Sequence, residues 1–197
     1  MRGFAILVSL VSALAFAASA QGIAVGSKID NFSLLDQNGK MQSLNAMKGK
    51  NGAVIMFVSS RCPVVRDYNE RMNQIAADDS AKGITFIGIN SNSSEMDSIA
   101  GTALAGTKTH IDSTYKFSVL FDKGNVVADK LGATVTPEAY YIDANNVLLY
   151  HGAIDNDRSG ASIGSPYLRT AFDAGLAGMK IERSTAKAFG CSIKRAK

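Results

Sequence analysis

The sequence is poor in the residues that build small stapled or metal-bound folds. Its 197 residues include two cysteines, two histidines and three prolines. Two cysteines exclude a cysteine-dense mini-scaffold and a four-cysteine zinc site. Any soft-metal site would have to gather its ligands from across the chain. The eighteen glycines show no three-residue period, which excludes a collagen-like chain. No internal repeat of solenoid or propeller length is present. What is there is ordinary for a globular chain: 46% of residues are hydrophobic and 19% charged, which excludes wholesale disorder. The length fits one domain or slightly more.

Long apolar runs are nearly absent too. The one that stands out, Phe4 to Ala17, follows Arg2 and precedes Ala18-Ser19-Ala20. It is short of the ~20 residues a membrane span needs, and a small-x-small site follows it. Residues 1–20 are therefore expected to be a secretory signal peptide, with no stable membrane insertion. The expected location is exported, periplasmic or secreted. Residues 21–179 are expected to form the domain, and 180–197 a basic tail. That tail holds Lys180, Arg183, Lys187, Lys194, Arg195 and Lys197 against Glu182. The high pI thus belongs to the tail, and no groove-reading motif supports a nucleic-acid partner. Export also means that Cys62 and Cys191 meet an oxidising environment. They pair with each other, pair with partners, or cycle.

Local patterns give an element order. Phe32 to Leu35 and Met41 to Leu44 flank Asn38-Gly39, a strong hairpin turn signal. Ala53 to Val58 and Ile84 to Ile89 are continuous apolar runs, as expected of strands buried on both faces. From Pro63 the apolar positions Val64, Val65, Tyr68, Met72, Ile75 and Ala76 mark one face of a helix. Pro63 suits the first helical position, and Asp67 is spaced to pair with Arg71. A weak helix is expected over Ser94 to Ala105, a strand over Val119 to Asp122, and a short helix from Asn125 that stops at Gly132. Ala139 to Ile142 and Val147 to Tyr150 form a second hairpin, and Tyr167 to Leu176 a helix closed by Gly178. The order predicts an α/β fold, a mixed sheet with helices on both faces.

Cys62 sits where a buried strand meets a helix. The helix start, with Arg61 and Arg66 nearby, favours a thiolate there, the reactive form. By position alone it is equally a buried apolar residue or half of an inert disulfide.

The buried strand, the Cys62-Pro63 helix start and Thr136-Pro137 before an antiparallel hairpin resemble the thioredoxin fold. The N-terminal β-hairpin extension resembles redoxins of the alkyl hydroperoxide reductase/thiol-specific antioxidant group. Cys62-Pro63-Val64-Val65, Gly88-Ile89-Asn90-Ser91-Asn92, Gly152-Ala153-Ile154-Asp155 and Gly190-Cys191-Ser192-Ile193-Lys194 resemble its peroxiredoxin-like subgroup. The resemblance implies a thiol peroxidase-like oxidoreductase with Cys62 as nucleophile and Thr136-Pro137 as a cis-proline facing it. It implies a peroxide or disulfide substrate and a thiol reductant protein. Such a cycle needs no metal or organic cofactor, because sulfur does the redox work.

Departures from the family pattern narrow the chemistry. Val65 replaces the second cysteine of Cys-x-x-Cys, so exchange within one loop is impossible. Ser59 completes a Ser-x-x-Cys pattern, and its hydroxyl is a candidate donor to a peroxide or to the thiolate. Arg158, by resemblance, and Arg61, by proximity, are the candidate cations, with Asp155 and Asp157 as candidate holders of Arg158. His110 and His151 are expected at the surface or in a hairpin, and Tyr68 in the core. Cys191 is a resolving thiol, within one chain or across a homodimer, or else a permanent staple. The alternatives are a thiol–disulfide exchange protein acting on exported proteins, and a non-catalytic binding module with a structural disulfide.

Overall fold

The computed structural model describes residues 22–97 and 100–196. The signal-peptide expectation therefore lies outside the described residues. The chain opens with the hairpin β1 (Ser33–Asp36) and β2 (Met41–Ser43), turning at Gly39 with φ +75°. Leu44–Met47 forms one short helix, α1, capped by the Ser43 side chain. Then come β3 (Ala53–Phe57), α2 (Pro63–Ser80) and β4 (Thr85–Asn90). The helix α3 (Ala105–Thr114) leads to β5 (Val119–Phe121), and α4 (Val126–Leu131) to β6 (Val135–Thr136). The hairpin β7 (Glu138–Ile142) and β8 (Leu148–Gly152) precedes α5 (Tyr167–Leu176). Two short strands close the chain, β9 (Thr185–Ala186) and β10 (Cys191–Ser192).

Eight strands make one mixed sheet in the order β2-β1-β5-β4-β3-β7-β8-β9. The strand β3 lies inside it, parallel to β4 and antiparallel to β7, and all five of its residues are buried. Alternation sends its side chains to opposite faces. Val54 and Met56 pack with Tyr68 and Met72 of α2 and Phe172 of α5. Ala53, Ile55 and Phe57 pack with Val127, Ala128 and Leu131 of α4. This two-sided burial explains the continuous apolar run. The mixed α/β class and the hairpin extension agree with the sequence.

Three local expectations need correction. Among the described residues, no α-helix covers Ser94 to Leu104. Ser93–Glu95 makes a single 3₁₀ turn, Met96 bridges to Ala103, and the helix runs from Ala105 to Thr114 instead. Glu95 is drawn into the interior, and Gly101 takes φ +69° just before the bridge returns. Asp67 does not pair with Arg71. Arg71 reaches Asp155 at 2.6 Å, while Asp67 holds Arg158 at 2.7 Å. Neither Asp155 nor Asp157 holds Arg158, since Asp157 accepts the backbone N–H groups of Ser159 and Ser162 instead.

Residues from Lys180 onward add order at two places. The strand β9 extends the sheet beyond β8, and β10 pairs antiparallel with β6. Gly152 permits the first contact, because a Cβ there would lie 1.8 Å from the Ala186 carbonyl oxygen.

Candidate functional site: a paired cysteine at a helix start

The strand β3 ends at Phe57, and the chain turns through Ser59, Ser60 and Arg61 into Cys62. Cys62 is the N-cap of α2, with Pro63 the first helical residue. Proline fits there because the N–H it lacks has no helical partner. The Cys62 side chain is 3% exposed. Its Sγ lies 3.4 Å from the Thr136 carbonyl oxygen, where the reduced thiol would donate a weak hydrogen bond. The Thr136-Pro137 peptide bond is cis.

Cys62 and Cys191 form a disulfide within one chain, with Cα atoms 5.9 Å apart, inside the usual span of such bridges. The strand pairing delivers Cys191 to this position. Cys191 lies opposite Thr136 and Ser192 opposite Val135. The Ile193 N–H donates to the Thr134 carbonyl at 3.0 Å. Gly190 is required by the close approach of the two strands: a Cβ would stand 1.9 Å from the Thr136 carbonyl oxygen. Phe189 packs on the ring of Tyr68, with centroids 6.2 Å apart.

The other candidates scatter. Ser59 is buried, but its hydroxyl donates to the Glu95 carboxylate and accepts the Arg61 N–H. It faces a carboxylate, not sulfur. The Arg158 head is half exposed and committed to Asp67 on α2. Arg61 is exposed and lines a shallow depression with Ser60, Thr107 and His110. Tyr68 lies in the core as expected, donating to Asp155 at 2.9 Å, with the Arg71 guanidinium 4.2 Å above its ring. Burial first, and then the Asp155 carboxylate, raise the pKa of the Tyr68 phenol.

Two carboxylates that the sequence did not single out organise this region. Glu95, 1% exposed, accepts the Ser59 and Ser60 hydroxyls, the Ser60 N–H at 2.8 Å and the Asn90 amide at 2.8 Å. In Ser93-Ser94-Glu95 it reads as an ordinary surface polar residue, and no sequence signal distinguishes it. Glu138 follows the cis-proline and accepts the N–H groups of Thr134 at 2.8 Å and Val135 at 3.2 Å. Its other oxygen meets His151 Nε2 at 2.6 Å, and the His151 ring stacks on Tyr140. Burial pushes the Glu138 carboxyl up, but the His151 contact and the two N–H bonds outweigh it. The net pKa lies below the usual glutamate value.

A buried cysteine at a helix start, set against a cis-proline on a mixed sheet, defines a thioredoxin-like protein with a two-cysteine centre. Within that class the chain belongs to the AhpC/TSA family, whose model matches residues 25–151. Cys62 and Thr136-Pro137 fall inside the match and Cys191 beyond it. No curated protein sequence matches the chain. Among solved structures, a hypothetical protein from Sinorhizobium meliloti is similar at 29% identity and a TM-score of 0.78, covering 89% of this chain and 97% of that one. A putative thiol:disulfide interchange protein DsbE from Chlorobium tepidum shares the fold at 22% identity and a TM-score of 0.59, covering 78% and 99%. Peroxidoxin BcpB from Mycobacterium tuberculosis does so at 16% identity and a TM-score of 0.57, covering 81% and 98%. A general redox role follows from the family. Among the described residues no helix is long and apolar enough to cross a membrane.

Proposed function

We propose that the chain is an exported thiol-dependent oxidoreductase that reduces peroxides through Cys62, with Cys191 as the resolving thiol. The observation that carries this reading is the pairing of Cys62 with Cys191 beside the cis-proline. In the cycle the Cys62 thiolate attacks the peroxide O–O bond. One oxygen stays on sulfur as a sulfenic acid, and the other leaves as an alkoxide or hydroxide that takes up a proton. The Cys191 thiol then attacks the sulfenic sulfur, expelling water and closing the disulfide. An external dithiol restores both thiols by two exchange steps and is itself oxidised to a disulfide. Arg61, exposed beside Cys62, is the cation nearest in sequence to the nucleophile. Ser59 serves a peroxide only after its hydroxyl turns from Glu95. Export rests on the composition of residues 1–20.

A second reading has its own support. The strand β10 lies on β6 as an extended cysteine-bearing peptide would, with Cys191 opposite Thr136. Thiol–disulfide exchange with an exported protein would use that edge in the same way. One experiment separates the readings. Reduced parent, Cys62→Ser and Cys191→Ser proteins are given hydrogen peroxide and a dithiol, and peroxide loss and sulfenic acid trapping are followed. The peroxidase reading expects Cys62→Ser to lose at least 100-fold in rate, on the scale of removing a covalent nucleophile. It expects sulfenic acid to accumulate in Cys191→Ser. Reduction of disulfide peptides without peroxide loss supports exchange. A bridge that resists reduction, with neither activity, leaves a structural disulfide.

A further inference from the structure

The segment from Asn90 to Glu95 touches both ends of the cysteine pair, and the cycle above involves it only where Glu95 accepts the Ser59 hydroxyl. On one side Glu95 holds Ser59 and Ser60, which lead into Cys62. On the other side Asn92 and Ser93 hold the chain just after Cys191. Asn92 Oδ1 accepts the Lys194 N–H at 2.9 Å, and the Ser93 N–H donates to the Lys194 carbonyl at 2.9 Å. The Ser93 hydroxyl donates to the Arg195 carbonyl at 3.1 Å. Asn92 is 3% exposed, and its amide nitrogen lies 3.4 Å from the Val58 carbonyl and 3.3 Å from Asn90 Oδ1. Asn90 in turn donates to Glu95. One continuous hydrogen-bond chain thus runs from Ser60, ahead of Cys62, through Glu95, Asn90 and Asn92 to Lys194, behind Cys191.

Further attachments also act without the disulfide. Ile193 is buried against the α4 side of the sheet, and Arg195 pairs with Asp129 at 2.9 Å. Breaking the sulfur–sulfur bond therefore removes one attachment among several. A thiol held by the rest remains beside its partner, and such confinement raises its effective concentration for ring closure.

We propose that the Asn90–Glu95 segment is a positioning bracket for the cysteine pair, in which Asn92 keeps the chain after Cys191 docked when the disulfide is open. Closure then needs no rearrangement of the tail, and it outcompetes mixed disulfides with outside thiols. The proposal rests on the reading that this pair opens and closes. The exchange it governs is balanced: the disulfide and two glutathione thiols give two protein thiols and one glutathione disulfide.

The test equilibrates three proteins in glutathione redox buffers and reads the oxidised fraction by alkylation. They are the parent, Asn92→Ala, and a chain ending at Ile193. Residues 194–196 are exposed, so the shortened chain keeps both cores whole and carries the test if Asn92→Ala does not fold. Each variant is expected to lower the closure constant by about tenfold, which for a two-electron couple raises the potential by about 30 mV. Asn92→Ala in the shortened chain should add little, because both changes remove the same Lys194 bond. A purely structural role would lower the melting temperature and leave the closure constant in place. Closure constants within twofold of the parent overturn the bracket. A parent disulfide that resists every buffer ratio overturns the redox couple and the bracket with it. A parent whose pair opens and closes but turns over no peroxide overturns the peroxidase reading alone, and the bracket still stands or falls on the variants' closure constants.

Discussion

Glu95 shows how much one buried side chain can decide. Its carboxylate accepts four hydrogen bonds, three of them from the two serines that lead into Cys62. A buried carboxylate is tolerated only when its lone pairs are met in this way. Glu95→Ala would leave several buried donors without an acceptor, at about 1–3 kcal/mol each, so a loss of about 3 kcal/mol or more is expected. Urea unfolding of the oxidised protein measures it, and a change below about 1 kcal/mol would contradict this account of the turn. The sequence marks Cys62 by its place at a helix start, and Thr136-Pro137 through its resemblance to the thioredoxin fold. It does not mark Glu95 or the direction of the Ser59 hydroxyl. A carboxylate among serines has the same local pattern whether it faces water or the interior, and only tertiary placement of the loop decides.

At the scale of elements, legibility follows periodicity. Both ends of α5 and the start of α2 are legible, because their apolar positions recur at helical spacing, whereas the end of α2 at Ser80 lies beyond its last marked apolar position, Ala76. The helix α3 escaped detection because only Thr107 and Ile111 of its ten residues are buried. The two-residue strands β6, β9 and β10 are too short to carry any pattern and exist through their partners. The strand β6 also depends on Glu138, whose carboxylate holds the N–H groups at Thr134 and Val135. With its folded pKa below the unfolded one, Glu138 contributes stability that is present above the usual glutamate value and lost as pH falls through the folded value. Glu138→Gln is therefore expected to be less stable than the parent at neutral pH and to lose less on acidification below about pH 4.5. Urea midpoints measured from pH 7 to 3 should converge. Parallel curves would remove Glu138 from the acid response.

For the whole molecule, the disulfide joins positions 129 residues apart, from the turn after β3 to β10. Chain-entropy arithmetic for a loop of that size gives about 4–5 kcal/mol of stabilisation. Unfolding in urea with and without a reductant should differ by about that amount. Equal midpoints would mean that the unfolded chain gains no freedom from opening the bridge. The reduced form is nevertheless expected to stay folded, because two cores on either side of the sheet are independent of sulfur. A redox cycle needs this combination, in which both states are folded and differ in how firmly the tail is held.

The same bridge makes residues 62–191 a covalent ring that contains the exposed loop 156–164. A protease in the surroundings could reach the exposed backbone of that loop. One cut there would open the ring without parting the molecule, since both new ends stay tied through sulfur. The nicked chain would still migrate as one species until a reductant arrived. While the bridge is closed, the pair that would serve turnover also keeps a nicked protein in one piece.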